Sequence, residues 1–281
     1  MSDSAAQMDL AQGPQKTDWH GQWIWLNAEP AARNVYAAFR RQFHAPAAGT
    51  LHLAISADTF YWLYLDGIWH GRGPSRAHLD YYSFDRYDLP IPAGQHVLAV
   101  LVHHIGVQNA TVMTGRPGLL VDATLRTDGQ NCIFGTDAAW RATVASGWRR
   151  DLPCLMSHFG FWEERDYRAW DDTWTGLAFD DQHWDRPVIL GAPGMAPWPR
   201  LVEPDIPKAR RVTVSGRATA GGHWQQGLVS EDGPDKRKVV AGGWLEGAST
   251  LNIPSKQVAT RQRTSQPISG ALPWPLALAG G

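Results

Sequence analysis

At 281 residues the chain has room for one large β domain or two ordinary ones. Its 26 basic and 27 acidic residues leave a net charge of −1, without the basic excess that nucleic acid or an anionic membrane attracts. No stretch approaches the ~20 apolar residues of a membrane span, and residues 1–16 hold neither a basic n-region nor an apolar h-region. A cytoplasmic protein is expected, with neither nucleic acid nor membrane as partner.

Residues 1–18 are polar and are expected to be disordered. Residues 29–33 form the one early helical candidate. Residues 34–44 and 49–57 read as strands. In the second, Leu51, Leu53 and Ile55 alternate with His52, Ala54 and Ser56, the period of a half-buried strand. Residues 59–65 make a third strand, rich in aromatics and ended by Asp66-Gly67, a hairpin signal because both turn positions take positive φ. Ile68 and Trp69 begin the return strand.

Residues 96–104 are a near-continuous apolar run of strand length, which predicts a central strand buried on both faces. Further strands are predicted at 118–125 and 131–134, around the Asp128-Gly129 turn. Short strands with frequent turn signals predict an all-β fold, an antiparallel jelly-roll β-sandwich of two packed sheets. The last Tyr is Tyr167 and the last Phe is Phe179. No sustained period of 2 or 3.6 continues beyond about Ala218. The domain is therefore placed at 19–207. Residues 208–281 are expected to be a linker, a disordered tail or the product of a changed reading frame.

The two cysteines, Cys132 and Cys154, read as buried thiols rather than a bridge. His103 and His104 are adjacent on a strand, so their side chains point to opposite faces and do not converge on one metal ion. Gly71-Arg72-Gly73-Pro74 lacks the ending of a phosphate-binding loop. No metal and no cofactor is expected. Arg72 and Arg76 are candidates for forked ion pairs with Asp80, Asp85 or Asp88.

The chain holds 15 Trp. Their flat faces suit sugar rings, and they equally suit sandwich cores. One region combines Trp162, Trp170, Trp174 and Trp184 with Glu163, Glu164, Asp166, Asp171, Asp172, Asp180, Asp181 and Asp185. Glycoside hydrolysis uses two carboxylates flanking the scissile bond. Clustered loop acids more often serve turns and caps, which is the expectation here as far as catalysis is concerned, with sugar contact left open.

A series of motifs then carries a family likeness. It comprises Trp23-Ile24-Trp25, Phe39-Arg40-Arg41-Gln42-Phe43, and Tyr61-Trp62-Leu63-Tyr64-Leu65-Asp66-Gly67. Gly71-Arg72-Gly73-Pro74-Ser75-Arg76 follows, then Tyr87-Asp88-Leu89 before Pro92-Ala93-Gly94-Gln95-His96. Thr136-Asp137-Ala138-Ala139-Trp140 and Phe161-Trp162-Glu163-Glu164-Arg165-Asp166-Tyr167-Arg168 come next. Phe179-Asp180-Asp181-Gln182-His183-Trp184, where Gln182 stands in place of the usual Ser, and Trp198-Pro199-Arg200-Leu201-Val202 complete the series. In this order they resemble the N-terminal, non-catalytic region of bacterial α-L-rhamnosidase-like glycoside hydrolases. The resemblance implies β-sandwich modules in front of an (α/α)6 barrel that holds the catalytic carboxylates.

Such a barrel needs at least ~200 residues, and 74 follow Pro207. The barrel is therefore expected to be missing from this chain, and no catalytic residue is assigned. A rhamnose-containing glycoside is the expected partner, with Trp162, Glu163, Asp166 and Arg76 as the candidate substrate contacts. Two alternatives are a free-standing carbohydrate-binding module, for which Trp62, Tyr64 and Trp162 speak, and a small glycosidase using Glu163 or Glu164 with Asp166.

Overall fold

The computed structural model describes residues 18–27, 33–109, 112, 113, 115–154, 160–208, 211, 212, 214, 236–239 and 251–254. The chain divides into two compact units, Met1–Asp205 and Ile206–Gly281. In the second unit the described elements are β14 (Lys236–Val239) and β15 (Leu251–Pro254), an antiparallel pair. The helical candidate at 29–33 lies, apart from Arg33, outside the described residues.

The first unit is an antiparallel jelly-roll β-sandwich. One sheet has the order β12 (Val188–Gly191), β1 (Trp23–Trp25), β9 (Gly118–Thr127), β3 (Gly49–Asp58), β7 (Asp85–Ile91). Its sixth strand, β10 (Gln130–Gly135), pairs with β9 on the edge that β1 also uses. The other sheet runs β11 (Arg141–Val144), β2 (Val35–Ala45), β8 (Gly94–His104), β4 (Phe60–Leu65), β5 (Ile68–Gly73). A short parallel pair, β6 (Tyr82–Ser83) with β13 (Leu201–Val202), lies apart from both.

Alternation decides which side chains enter the core. Leu51, Leu53 and Ile55 of β3 meet Val35, Ala37 and Phe39 of β2 and Leu98, Val100 and Val102 of β8 in one buried cluster between the sheets. β8 is the middle strand of its sheet, and every residue from His96 to His104 is buried. Asp66 and Gly67 both have positive φ, 51° and 83°, as their hairpin demands.

Both outer faces are covered as well. On the five-stranded sheet, Ala38 and Ala99 leave room for Trp148, Trp174 and Trp184, which arrive from the long segment after β11. A 3₁₀ turn at Asp172–Thr175 seats Trp174, with the Asp171 carboxylate accepting from Thr173 N at the cap. Arg40, fully buried, ties this segment down. Its Nε donates to Asp181 Oδ2 at 2.8 Å, and its other nitrogens donate to the carbonyls of Trp174, Gly176 and Phe179. On the six-stranded sheet, Trp198 stacks on Trp23 with centroids 4.4 Å apart, joined by Tyr82, Phe84 and Leu201.

Close backbone approach explains one glycine. A methyl group at Gly135 would stand 2.4 Å from Gly21 Cα and 2.5 Å from its nitrogen. Gly135→Ala is therefore expected to cost about 1–3 kcal/mol, read as a lower midpoint in urea, because backbone cannot move aside as a side-chain tip can.

Two sequence expectations are corrected. Cys132 is exposed, whereas Cys154 is buried as expected. The first four residues of β10 are all exposed, so the core does not extend over that end of the strand. Arg72 and Arg76 also form no ion pair with Asp80, Asp85 or Asp88. Asp80 and Asp88 face His78 and His52, and Asp85 accepts from the Tyr61 hydroxyl, so each already has another partner.

Candidate functional site

The outer face of the five-stranded sheet is where aromatic rings meet charged groups. Tyr36 on β2 lies opposite His103 on β8, and alternation sends both outward. The Tyr36 ring is held between His103, 3.9 Å away, and Trp148, 5.0 Å away. Trp62 of β4 stacks on its flank at 6.4 Å, and the Arg72 guanidinium lies 5.9 Å from the centre of the Trp62 ring.

Electrostatics here follow from burial. Burial raises the Tyr36 phenol well above its ordinary value, and the nearby Glu163 charge raises it further. Burial pushes the His103 imidazole down to about 3, helped by the adjacent His104. Neutral His103 bonds through Nε2 to Asn34 Oδ1 at 2.9 Å. His104 faces the opposite way, with Nδ1 2.9 Å from the buried Asp58 carboxylate and its ring against Trp25.

Glu163 joins this arrangement by accepting from Trp148 Nε1 at 3.1 Å. Its neighbour Trp162 is 46% exposed. Arg165 lies between the rings of Trp148 and Tyr167, at 4.0 and 4.2 Å from their centroids, and also pairs with Asp172. Trp62, Tyr36, Trp148, Arg72 and Glu163 thus form an aromatic cluster carrying a carboxylate and a guanidinium, and the exposed Trp162 precedes Glu163 in the chain. Aromatic faces accept the C–H face of a sugar ring. The charged groups supply directed acceptors and donors for its hydroxyls.

Of the expected contacts, Glu163 is held here by Trp148, and Trp162 is its exposed neighbour in the chain. Asp166 is committed to Arg168, with paired contacts of 2.8 and 2.9 Å, and those hydrogen bonds pull its carboxyl down to about 2. Arg76 lies elsewhere, lining a cleft with Asp58, Thr59, Phe60, Pro74 and Tyr82 that contains none of the other three. Tyr36 was not singled out by the sequence reading. Its signal is the two-residue spacing to Ala38, which puts both on one face of β2, but only the fold shows what covers that face.

The neighbouring acids have structural work. Asp171 caps the 3₁₀ turn, Asp172 pairs with Arg165, Asp180 accepts from Gln182 N, Asp181 holds Arg40, and Glu164 faces Arg149. Among the described residues no group of three or more His, Cys, Asp or Glu is arranged to hold a metal ion, and no helix is long and apolar enough to cross a membrane.

Two packed antiparallel sheets with aromatic side chains on the covered outer face define a jelly-roll β-sandwich. Among solved structures, the chain is similar to a GH78 family rhamnosidase of Bacillus sp. GL1, with 36% identity and a TM-score of 0.63. That match covers 70% of this chain and 20% of the rhamnosidase. An α-L-rhamnosidase from Dictyoglumus thermophilum has the same fold over 69% of this chain and 23% of its own, with 16% identity and a TM-score of 0.55. The chain therefore matches one region of GH78 rhamnosidases, about a fifth of their length. No family model matches it, and no curated protein does.

Proposed function

We propose that this chain is the accessory β-sandwich portion of an α-L-rhamnosidase-type glycoside hydrolase, one that contacts rhamnose-containing glycosides and does not itself hydrolyse them. The 36% identity over 70% of the chain to part of a GH78 rhamnosidase carries this reading. Its chemistry supports the second half. A glycosidase acid needs a carboxyl raised toward neutrality. Asp166 and Asp171 are both lowered instead, by Arg168 and by Thr173 respectively. Glu163 accepts from Trp148 Nε1, and Glu164, Asp172, Asp180 and Asp181 are engaged in ion pairs or turns.

A free-standing carbohydrate-binding module is the second reading, favoured by the exposure of Trp162 beside Glu163. Both readings expect sugar at the Trp62–Glu163–Trp162 patch. Titration of methyl α-L-rhamnoside is expected to quench tryptophan fluorescence with a millimolar Kd, and Trp162→Ala to weaken it about tenfold, the effect of losing one stacked ring. The same protein is expected to release no p-nitrophenol from p-nitrophenyl α-L-rhamnoside. Release that disappears in Glu163→Gln would establish the small-glycosidase alternative instead. A flat titration with every rhamnoside would end both binding readings.

A further inference from the structure

A second place on the sandwich has the chemistry to choose between sugars. The cleft that contains Arg76 lies between the end of β3, the connection from β5 to β6 and the connection from β8 to β9. Its water-accessible volume is about 50 Å³. At ~10–15 Å³ for each water molecule, it holds one edge of a sugar ring rather than a whole disaccharide.

The lining contains two kinds of surface. Asp58, Thr59, Ser75 and Arg76 supply carboxylate, hydroxyls and guanidinium, and Phe60, Leu79, Val112 and Met113 supply apolar area. Asp58 is only 5% exposed and anchors the cleft wall: Oδ1 faces His104 Nδ1 at 2.9 Å and Thr59 Oγ1 at 3.1 Å. Oδ2 has the Tyr82 hydroxyl at 3.3 Å, the outer limit of a hydrogen bond. Arg76 is exposed and makes no ion pair with the described residues. With Asp58 engaged by His104, Thr59 and Tyr82, the exposed Arg76 guanidinium and the Ser75 hydroxyl are the groups at this cleft suited to a sugar's adjacent hydroxyls.

The apolar share of the lining adds a requirement. A hexose with a hydroxymethyl group at C6 would place a hydroxyl against Phe60, Val112 and Met113, where it finds no apolar-compatible partner and loses its water. A 6-deoxyhexose carries a methyl group there. We propose that this cleft is a binding subsite for the methyl edge of a terminal 6-deoxyhexose, with Arg76 and Ser75 holding its hydroxyls and Asp58 fixing the cleft wall. This rests on the rhamnoside reading above and adds a second contact region to the aromatic patch.

Titration calorimetry with methyl α-L-rhamnoside and its 6-hydroxy counterpart, methyl α-L-mannoside, on the full chain tests the subsite. The rhamnoside is expected to bind at least about tenfold more tightly, the discrimination an apolar contact of this size supports. Arg76→Ala, an exposed change that leaves the core untouched, is expected to weaken the rhamnoside at least fivefold, and Met113→Gln to narrow the gap between the two sugars. Circular dichroism and the thermal midpoint of each variant verify the fold. Rhamnoside binding that is unaffected by Arg76→Ala and Met113→Gln, but lost in Trp162→Ala, would overturn the subsite and leave the proposed function standing. Equal affinity for both sugars would also overturn it. Absence of any sugar binding would remove both.

Discussion

Arg40→Met is expected to lower the stability of the sandwich by about 3–5 kcal/mol, the cost of leaving a buried charge without its partner. Methionine replaces the apolar stem of arginine, so most of the loss comes from the guanidinium and the space it fills. That group serves the Asp181 carboxylate and the carbonyls of Trp174, Gly176 and Phe179 at once, and lies 5.2 Å from the centre of the Phe179 ring. All four acceptors belong to one covering segment. Its loosening is expected to expose Trp174 and Trp184, with a red shift in tryptophan emission. Denaturant midpoints of Arg40→Met, Asp181→Leu and the double variant measure the coupling. The double variant is expected to recover part of the loss, because replacing a buried pair by apolar groups costs less than breaking it. A single-variant loss below about 1 kcal/mol would contradict the role given to Arg40.

Acid is expected to be the second large perturbation, acting through His103. Burial holds its folded pKa near 3, against about 6.5 in an unfolded chain. Between these values the unfolded chain binds a proton that the fold refuses. Stability from His103 is therefore fully present above pH ~6.5 and declines as pH falls toward 3, by up to about 4–5 kcal/mol. The groups around it reinforce the neutral state: Asn34 bonds Nε2, Tyr36 covers one face, and His104 is adjacent. Thermal unfolding of wild type and His103→Gln between pH 7.5 and 4 checks this. The variant, which never protonates at this position, is expected to start less stable and to show a shallower pH slope, by about one proton below pH 6.5. Parallel slopes would show that other groups dominate the acid response.

Particular residues show how far the sequence could be read. The alternation of Leu51, Leu53 and Ile55, the unbroken run from His96 to His104 and the Asp66-Gly67 turn each describe local backbone geometry, and each strand falls within a few residues of its expected place. Strands of two to four residues, such as β1, β6, β12 and β13, were not predicted, since they have no room for a period. Arg40 was legible as a strand residue but not as a fully buried one. The same alternation that puts it opposite Phe39 assigns it to solvent unless the covering segment, more than 130 residues further along, is known.

The candidate site divides in the same way. Trp162 and Glu163 are neighbours in sequence and needed only a common loop. Arg76 lines a different cleft, and placing it required knowing how the β5–β6 connection lies relative to residues 162–166, which depends on the closure of both sheets. The Asp58–His104 pair, 46 residues apart, was invisible for that reason too. The acid cluster was read more nearly correctly, since caps and turns are local: Asp171 with Thr173 and Asp180 with Gln182 each span two residues.

The partners of β1 have a consequence for how this molecule comes into being. Trp23 to Trp25, among the first residues of the fold to leave a ribosome, pair with Val188 to Gly191, and Trp23 rests on Trp198. A nascent chain that stops short of these residues holds its first strand with one edge unsatisfied and an indole face uncovered. Closure is therefore an event of late synthesis, and the slow kinetics of non-local sheet pairing follow from it. During that interval the chain is open to capture by a chaperone or by another chain's strand edge.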